Sequence, residues 1–207
     1  MRVTYTLEEN SLIIDYHADT DSDTVCALTN HAYFNLDGDS NTDKPIDARK
    51  QQLFIPTDKY MPVDIAGIPV KNLVDVTDTP FDFRETRCIS MQMPPVPERP
   101  HLNGYDHSWY FGGAGAEKLV AKMQSSDKLI GLSLYTTQPT LHVYTGNYLD
   151  GIPNRYGGVY DVFAGVALET GCVPNSPNMP DFMGDCFVST DKPYQHRSRY
   201  VFDWETA

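Results

Sequence analysis

The sequence predicts an all-β protein, built as a β-sandwich or a large antiparallel sheet. Its dominant hydrophobic period is two: Leu12, Ile14, Tyr16 and Ala18 alternate with other residues and would share one face of an extended strand. The composition is rich in residues that favour strands, with 13 Tyr and 9 Phe. No window carries apolar residues at the i, i+3, i+4 and i+7 spacing of an amphipathic helix. Antiparallel strands joined by turns account for all three observations.

Two hairpins are predicted from pairs of alternating segments that flank a turn. Residues 3–7 alternate, and the turn Glu8-Glu9-Asn10 separates them from a second alternating segment over residues 11–18. Residues 119–124 and 129–136 flank another turn, Ser125-Ser126-Asp127-Lys128. Three further strands complete the expected set: residues 141–145, residues 163–170 and a closing strand at residues 200–202.

The segments between these strands are predicted to be loops rich in proline and glycine. Residues 91–100 contain four prolines and should lack regular structure, because proline cannot donate a ladder hydrogen bond. Residues 112–115 are glycine-rich, but neither a Lys-Ser/Thr pair nor a helix follows them, so they predict a turn and not a phosphate-binding loop. A polar loop is expected over residues 37–45, and a rigid loop over residues 174–180.

Size, charge and cysteine content narrow the functional classes. The 207 residues suit one domain over residues 1–207, and 16 Lys and Arg against 28 Asp and Glu give a formal net charge of −12. Such a surface repels phosphate backbones and acidic membranes, so neither nucleic acid nor a membrane is an expected partner. No apolar run is long enough to cross a bilayer. The four cysteines are scattered without a C-x-x-C pair, which predicts reduced thiols in a cytoplasmic protein.

The first two candidate functional positions each carry a histidine. His31 lies in residues 29–36, where an apolar strand is expected to become a loop, and it can face a cleft or serve as a hydrogen-bonded structural histidine. Asp106 and His107 are adjacent, so an extended chain directs them to opposite faces of a sheet. One of them can therefore serve a site while the other serves the core.

Two further candidates lie on predicted strands. Glu169 shares a face with Gly165 and Ala167, whose small side chains would leave room for a ligand; the alternative is a surface glutamate on an edge strand. His142 shares a face with Tyr144, in a ligand-facing or a merely solvated position. No metal-binding or serine-nucleophile motif is present. A histidine and a glutamate with aromatic neighbours are the minimum set for proton transfer to and from a polar ligand such as a sugar.

Four ordered segments resemble the signature segments of aldose 1-epimerases, the galactose mutarotases. They read TNHAYFNL at 29–36, YDH at 105–107, HVYTGN at 142–147, and ALET with PNSPN at 167–170 and 174–178. The resemblance extends over nearly the whole chain. It implies a galactose-mutarotase-like antiparallel β-sandwich, or supersandwich, that binds a free hexose such as glucose or galactose in an open cleft without a cofactor or a metal.

The resemblance also implies a role for each candidate residue. His31 would be the general acid that protonates the ring oxygen, and Glu169 the general base that takes the proton of the anomeric hydroxyl. Asp106 would bind sugar hydroxyls, and Tyr33 would line the pocket beside His31. His142 stands where the family usually has a glutamine that contacts the sugar, so it brings an additional titratable group to the site.

One departure from the family pattern concerns the segment before His31. The family has an upstream sugar-binding arginine and a second active-site histidine, whereas neither Arg2 nor His17 is placed to supply them here. The chain resembles the C-terminal portion of a mutarotase, with its N-terminal part missing. We therefore expect a sandwich with unpaired edges, which could self-associate or be completed by a missing N-terminal segment.

Two alternatives to the epimerase remain open from the residues alone. The first is a carbohydrate-binding β-sandwich that keeps the cleft without turnover. The second is a glycoside hydrolase that uses Glu169 with Asp106, which would require two carboxyl groups separated by ~5 Å or by ~6.5–9.5 Å across a glycosidic bond.

Overall fold

The computed structural model describes residues 1–38, 47–64, 66–70, 72–96, 99–182, 184 and 186–205. Within these residues the protein is all-β, as predicted, and contains no α-helix. In chain order the strands are β1 (Arg2–Glu8), β2 (Ser11–Ala18), β3 (Thr24–Val25), β4 (Tyr33–Phe34), β5 (Gln52–Phe54), β6 (Lys59–Met61), β7 (Val74–Asp75), β8 (Arg87–Cys88), β9 (Pro95–Val96), β10 (Arg99–Asn103), β11 (Asp106–Tyr110), β12 (Lys118–Gln124), β13 (Ile130–Thr136), β14 (Thr140–Tyr144), β15 (Val166–Gly171), β16 (Phe187–Val188) and β17 (Tyr194–Trp204). Short 3-10 turns cover Ala48–Lys50, Ile89–Met91, Ser176–Asn178 and Pro180–Phe182.

Two large antiparallel sheets form the architecture. The first has seven strands in the order β1-β2-β17-β13-β12-β5-β8, and the second has six in the order β4-β15-β14-β11-β6-β7. Both predicted hairpins are confirmed, as β1–β2 and β12–β13. Two small ladders, β9–β10 and β3–β16, lie outside the main sheets.

A hydrophobic core joins the two sheets. Ile14 and Leu134 of the first sheet belong to the same buried cluster as Trp109 and Val143 of the second. The Tyr200 hydroxyl of β17 also donates a hydrogen bond to the Leu168 carbonyl of β15, at 3.1 Å. Burial of these side chains stabilises the sandwich at roughly 25 cal/mol per Å² of apolar area. It also leaves the opposite face of the six-stranded sheet free to carry polar groups.

Three expectations about strand boundaries are wrong. The closing strand, predicted at residues 200–202, is the eleven-residue β17, because its first half buries the polar side chains His196 and Ser198 and so lacks an apolar alternation. The strand predicted at residues 163–170 begins at Val166, since Phe163 has a φ of 64° and lies in a turn. No strand leads into His31: residues 26–32 have no regular structure.

The loop predictions have mixed outcomes. Residues 91–100 were expected to lack regular structure, but Pro95–Val96 forms β9 against β10; proline is tolerated there because the ladder is short and irregular. Residues 112–115 form a loop between β11 and β12, as predicted. The rigid loop at residues 174–180 contains the 3-10 turn Ser176–Asn178. Most of the loop predicted at residues 37–45 lies outside the described residues. Across the part of the chain that the structure describes, no helix has the length and apolar content to span a bilayer.

Candidate functional site

The outer face of the six-stranded sheet carries a cluster of polar side chains on three neighbouring strands. In the register of β11, β14 and β15, Ser108 lies opposite His142, and His142 lies opposite Glu169. Residues directly opposite each other share a face, and Asp106 shares the same face because it lies two positions from Ser108. Strand alternation therefore collects four polar side chains on one surface.

The prediction that Asp106 and His107 point to opposite faces is confirmed. Asp106 lines the cleft described below, whereas His107 is buried and packs against Phe81, with ring centroids 4.7 Å apart. Burial lowers the pKa of His107 to about 4, so its ring is neutral near neutral pH. Its Nδ1 accepts a hydrogen bond from the Asp106 backbone N–H at 3.1 Å. His107 is thus a structural residue.

Glu169 lies on an interior strand, so its alternative interpretation as an edge-strand surface residue is wrong. β15 pairs with β14 on one side and with β4 on the other. The open space predicted beside Glu169 is partly filled by Tyr33 of β4, which lies opposite Ala167. A Cβ atom on Gly165 would lie 2.9 Å from the Tyr33 Cβ, so the small residue at this position permits the close approach of β4.

His31 and Glu169 meet across the cleft. The His31 Nε2 lies 3.3 Å from the Glu169 Oε1, and the two side chains are 49 % and 13 % exposed. The irregular segment before β4 carries His31. Individual hydrogen bonds to distant residues, rather than a strand ladder, hold this segment in place. The Cys26 N–H donates to the Cys186 carbonyl at 2.8 Å, and the Tyr194 hydroxyl donates to the Leu28 carbonyl at 3.1 Å.

His142 and Asp106 form a second pair on the same surface. The His142 Nε2 lies 2.7 Å from the Asp106 Oδ1, while the His142 Nδ1 shares a hydrogen bond of 2.8 Å with the Ser108 hydroxyl. Both ring nitrogens are therefore bound to strand β11. The imidazole is fixed in orientation between Asp106 and the strand that carries Glu169.

These side chains line an open cleft of about 700 Å³. All five residues predicted for the site line this cleft: His31, Tyr33, Asp106, His142 and Glu169. The volume lies within the ~300–1,000 Å³ usual for small-molecule sites. The cleft can therefore hold a ligand the size of a sugar.

The sequence analysis placed Tyr144 on the face of His142, in a ligand-facing or a merely solvated position, and assigned no role to Ser108 or Asn175. Tyr144 packs beside His31 with ring centroids 6.0 Å apart, and its hydroxyl accepts the Tyr148 N–H at 3.0 Å. Ser108 orients His142, and Asn175 lies in the wall after β15. The period of two could also have identified Ser108, because it is two residues from Asp106 on the same strand.

The protonation of Glu169 reflects opposing influences. Burial is the largest and raises the pKa of its carboxyl above the ordinary value, while the nearby imidazoles of His142 and His31 act to lower that pKa. Asp106 adds a smaller increase. Burial likewise raises the pKa of Tyr144 to about 12, so its hydroxyl stays protonated and can donate a hydrogen bond. The cleft thus combines a carboxylate of raised basicity with imidazole and phenol donors.

A buried polar cluster lies behind the strand that carries Glu169. The adjacent Thr170 turns to the core, where its hydroxyl is 3.1 Å from the His196 Nε2 and 2.6 Å from the Ser198 hydroxyl. His196 stacks on Tyr16, with ring centroids 4.6 Å apart. Burial lowers the pKa of His196 to about 4. This neutral cluster connects β15 to the seven-stranded sheet.

Two further observations concern metals and thiols. Among the residues that the structure describes, no group of three or more His, Cys, Asp or Glu side chains is arranged to hold a metal ion. None of the four cysteines forms a disulfide, and two of them, Cys172 and Cys186, line the cleft.

Comparison with known proteins identifies the family. The sequence profile of the family described as Aldose 1-epimerase matches residues 1–201. The chain is 37 % identical over 197 residues to the aldose 1-epimerase of Escherichia coli, covering 94 % of this chain and 56 % of that protein. It is 41 % identical over 181 residues to the aldose 1-epimerase of Haemophilus influenzae, covering 87 % of this chain and 52 % of that protein. It is 33 % identical over 201 residues to human galactose mutarotase, covering 97 % of this chain and 56 % of that protein.

Solved structures show the same relationship. A GalM/aldose epimerase homologue from C. elegans superposes with a TM-score of 0.81 at 29 % identity, over 99 % of this chain and 59 % of that one. Galactose 1-epimerase from Lactobacillus acidophilus superposes with a TM-score of 0.75 at 25 % identity, over 99 % of this chain and 57 % of that one. The chain spans little more than half the length of the curated relatives named above. Profile, identity and fold agree with the resemblance found in the sequence: this chain belongs to the aldose 1-epimerase family.

Proposed function

We propose that the protein is an aldose 1-epimerase, an isomerase that interconverts the α and β anomers of a free hexose such as glucose or galactose. The observation that carries this proposal is the pairing of His31 with Glu169, 3.3 Å apart in an open cleft of sugar size. An imidazolium and a carboxylate so placed can give a proton to one oxygen of a ligand and take a proton from another.

The reaction needs two linked proton transfers. Protonated His31 donates to the ring oxygen while ionised Glu169 removes the proton of the anomeric hydroxyl. The bond between C1 and the ring oxygen breaks, and its electron pair stays on that oxygen; the anomeric C–O bond becomes the carbonyl of the open aldehyde. Rotation about C1–C2 presents the other carbonyl face. Reclosure reverses both proton transfers and returns His31 and Glu169 to their starting states.

The remaining residues of the cleft supply binding groups for the sugar. Asp106 and His142 form a hydrogen-bonded pair that would bind ring hydroxyls, with the carboxylate accepting. Tyr33 and Tyr144 lie beside His31 and offer apolar faces for the C–H surface of a pyranose. In this assignment no metal or cofactor takes part in binding the substrate.

Carbohydrate binding without turnover is the second candidate function. The observation that favours it is the 49 % exposure of the His31 side chain, because solvent around the proton donor weakens its electrostatic coupling to a bound ligand. A hydrolytic use of Glu169 with Asp106 would instead release reducing sugar from a disaccharide.

Polarimetry of freshly dissolved α-glucose and α-galactose tests the proposal. We expect the protein to accelerate mutarotation, and Glu169→Gln and His31→Asn each to lower kcat by ~10²–10⁴, the usual contribution of general acid–base catalysis. Glu85→Gln changes an exposed carboxylate outside the cleft and should leave the rate unchanged. An unaltered rate in Glu169→Gln contradicts the assignment, and calorimetric sugar binding without any acceleration supports the binding protein.

The sugar is the partner that this function requires. We also propose that the protein acts in the cytoplasm, a proposal supported by its four cysteines, none of which forms a disulfide, since thiols persist in a reducing compartment. Non-reducing gel electrophoresis of protein extracted under alkylating conditions would test it.

A further inference from the structure

His31 is carried by a segment that lies outside the strand ladders. Residues 26–32 have no regular structure, and β4, which follows them, is only two residues long. Tyr33 holds the downstream end of the segment, because it lies opposite Ala167 of β15. Since a misplacement of about 1 Å can cost a large part of a catalytic rate, the upstream end of the segment needs an anchor as well.

Tyr194 supplies that anchor from inside the sandwich. The Leu28 N–H donates to the Tyr194 hydroxyl at 3.3 Å, and the same hydroxyl donates to the Leu28 carbonyl at 3.1 Å. Leu28 precedes His31 by three residues. Tyr194 is 5 % exposed and belongs to β17 of the seven-stranded sheet. The backbone before His31 is thus bound to a buried side chain of the opposite sheet.

His196 extends this contact to the strand that carries Glu169. The His196 Nδ1 lies 3.3 Å from the Tyr194 hydroxyl, and its Nε2 lies 3.1 Å from the Thr170 hydroxyl. Thr170 follows Glu169 on β15. His196 and Thr170 are buried, so solvent does not compete for these hydrogen bonds. A continuous chain of buried polar groups, which we call the tether, therefore runs through Leu28, Tyr194, His196 and Thr170.

The donors and acceptors of the tether are matched. The Tyr194 O–H is used by the Leu28 carbonyl, so the neutral His196 ring donates its N–H from Nδ1 to the Tyr194 oxygen. Its Nε2 is then an acceptor for the hydroxyls of Thr170 and Ser198, each 3.1 Å away. Replacing one member leaves its neighbours buried without a partner, so the members act as a unit.

We propose that Tyr194 and His196 are positioning residues of the reaction, which fix the segment that carries the acid against the strand that carries the base. β15 then holds His31 from two sides, directly through Tyr33 and, from behind the sheet, through the tether. Neither Tyr194 nor His196 lines the cleft, so each acts through His31 and Glu169. The inference rests on the function proposed for that pair.

Tyr194→Phe removes the hydroxyl of the tether and keeps the ring. We expect kcat for mutarotation to fall roughly tenfold or more as His31 loses its position. KM should stay close to that of the unaltered protein, because Asp106 and His142 remain on the paired strands β11 and β14. His196→Gln should lower kcat to a similar extent, and the double variant should lower it little further, since both changes break the same chain of hydrogen bonds.

Tyr200→Phe is the matched control. Tyr200 is also buried on β17, and its hydroxyl donates to the Leu168 carbonyl of β15 at the same distance of 3.1 Å. That hydrogen bond joins β17 to β15 without involving residues 26–32, and β15 keeps its ladders with β14 and β4. We therefore expect a comparable decrease in Tm with an unchanged kcat.

Hydrogen exchange at the backbone amides of residues 26–32 gives a readout that does not depend on activity. Exchange should be faster in Tyr194→Phe than in the unaltered protein or in Tyr200→Phe. Unchanged exchange in Tyr194→Phe overturns the proposal, as does an unchanged kcat, a change confined to KM, or an equal loss of kcat in Tyr200→Phe. An unaltered protein that does not accelerate mutarotation contradicts the proposed function, and the exchange data then decide whether the tether holds the segment.

Discussion

His142 is the residue that connects the two carboxylates of the cleft. Its Nε2 is bound to Asp106 at 2.7 Å, and its strand position is directly opposite Glu169. Its imidazolium lowers the pKa of Glu169, against the increase that burial causes. The charge on His142 therefore helps to keep Glu169 ionised, which a general base requires.

Replacing His142 should change the pH dependence of mutarotation. Activity falls on the acid side as Glu169 gains a proton, so a higher pKa of Glu169 moves this fall to higher pH. We expect His142→Gln to shift the acid limb of kcat/KM to higher pH and to reduce activity most on that acid limb. The measurement is a polarimetric pH profile.

His17→Gln is the control for this profile, since His17 is a partly exposed histidine of β2 on the other sheet. It should leave the acid limb in place. An acid limb that does not move in His142→Gln, or that moves to lower pH, would show that His142 does not act on the charge of Glu169.

At the scale of elements, the pairing of β4 with β15 positions the acid relative to the base. Tyr33 lies opposite Ala167, and His31 precedes Tyr33 by two residues. Gly165 permits this approach, because a Cβ atom there would lie 2.9 Å from the Tyr33 Cβ. The position of His31 relative to Glu169 thus depends on the close approach that Gly165 permits.

Gly165→Ala should therefore impair the cleft without changing a polar group. The added methyl group displaces β4 and, with it, Tyr33 and His31, so we expect roughly a tenfold or greater loss of kcat/KM from misplacement of the acid. Gly113→Ala, in the exposed loop between β11 and β12, is the control, because no atom lies within 4 Å of its added Cβ and it lies outside the cleft. Equal activity of the two variants in polarimetry would mean that the close approach of β4 to Gly165 is not required to position His31.

At the scale of the whole molecule, two buried histidines couple stability to pH. Burial lowers the pKa of both His107 and His196 to about 4. In the unfolded chain they titrate near ~6.5, so between these values the unfolded state binds more protons than the folded state. The free energy of unfolding therefore falls as pH decreases through this range.

We expect this loss to reach up to about 3 kcal/mol for each histidine at pH 4 relative to pH 7. Urea denaturation at a series of pH values measures it. His196→Gln keeps a polar side chain beside Thr170 but removes one titration, so it should lower stability at pH 7 and flatten the pH dependence. His17→Gln is the control and should neither lower the stability at pH 7 nor flatten its pH dependence. An unfolding free energy that is constant from pH 7 to pH 4.5 contradicts the prediction.

Much of the fold could be predicted because strand alternation is a local property. The period of two placed Asp106 and His107 on opposite faces and predicted the hairpins β1–β2 and β12–β13, since a side chain's face depends only on its position along one strand. The same rule failed for the first half of β17, where the buried side chains are His196 and Ser198. Polar residues that satisfy one another inside the core do not look buried in a sequence.

Composition, local alternation and ordered motifs were enough to predict the fold class, the family resemblance and the five residues of the cleft. The tertiary structure alone decided which strands are neighbours: that β15 lies between β4 and β14, that His31 reaches Glu169 from an irregular segment, and that His142 binds Asp106. These contacts join residues far apart in the chain. Packing of the whole core selects them, and no local pattern encodes that choice.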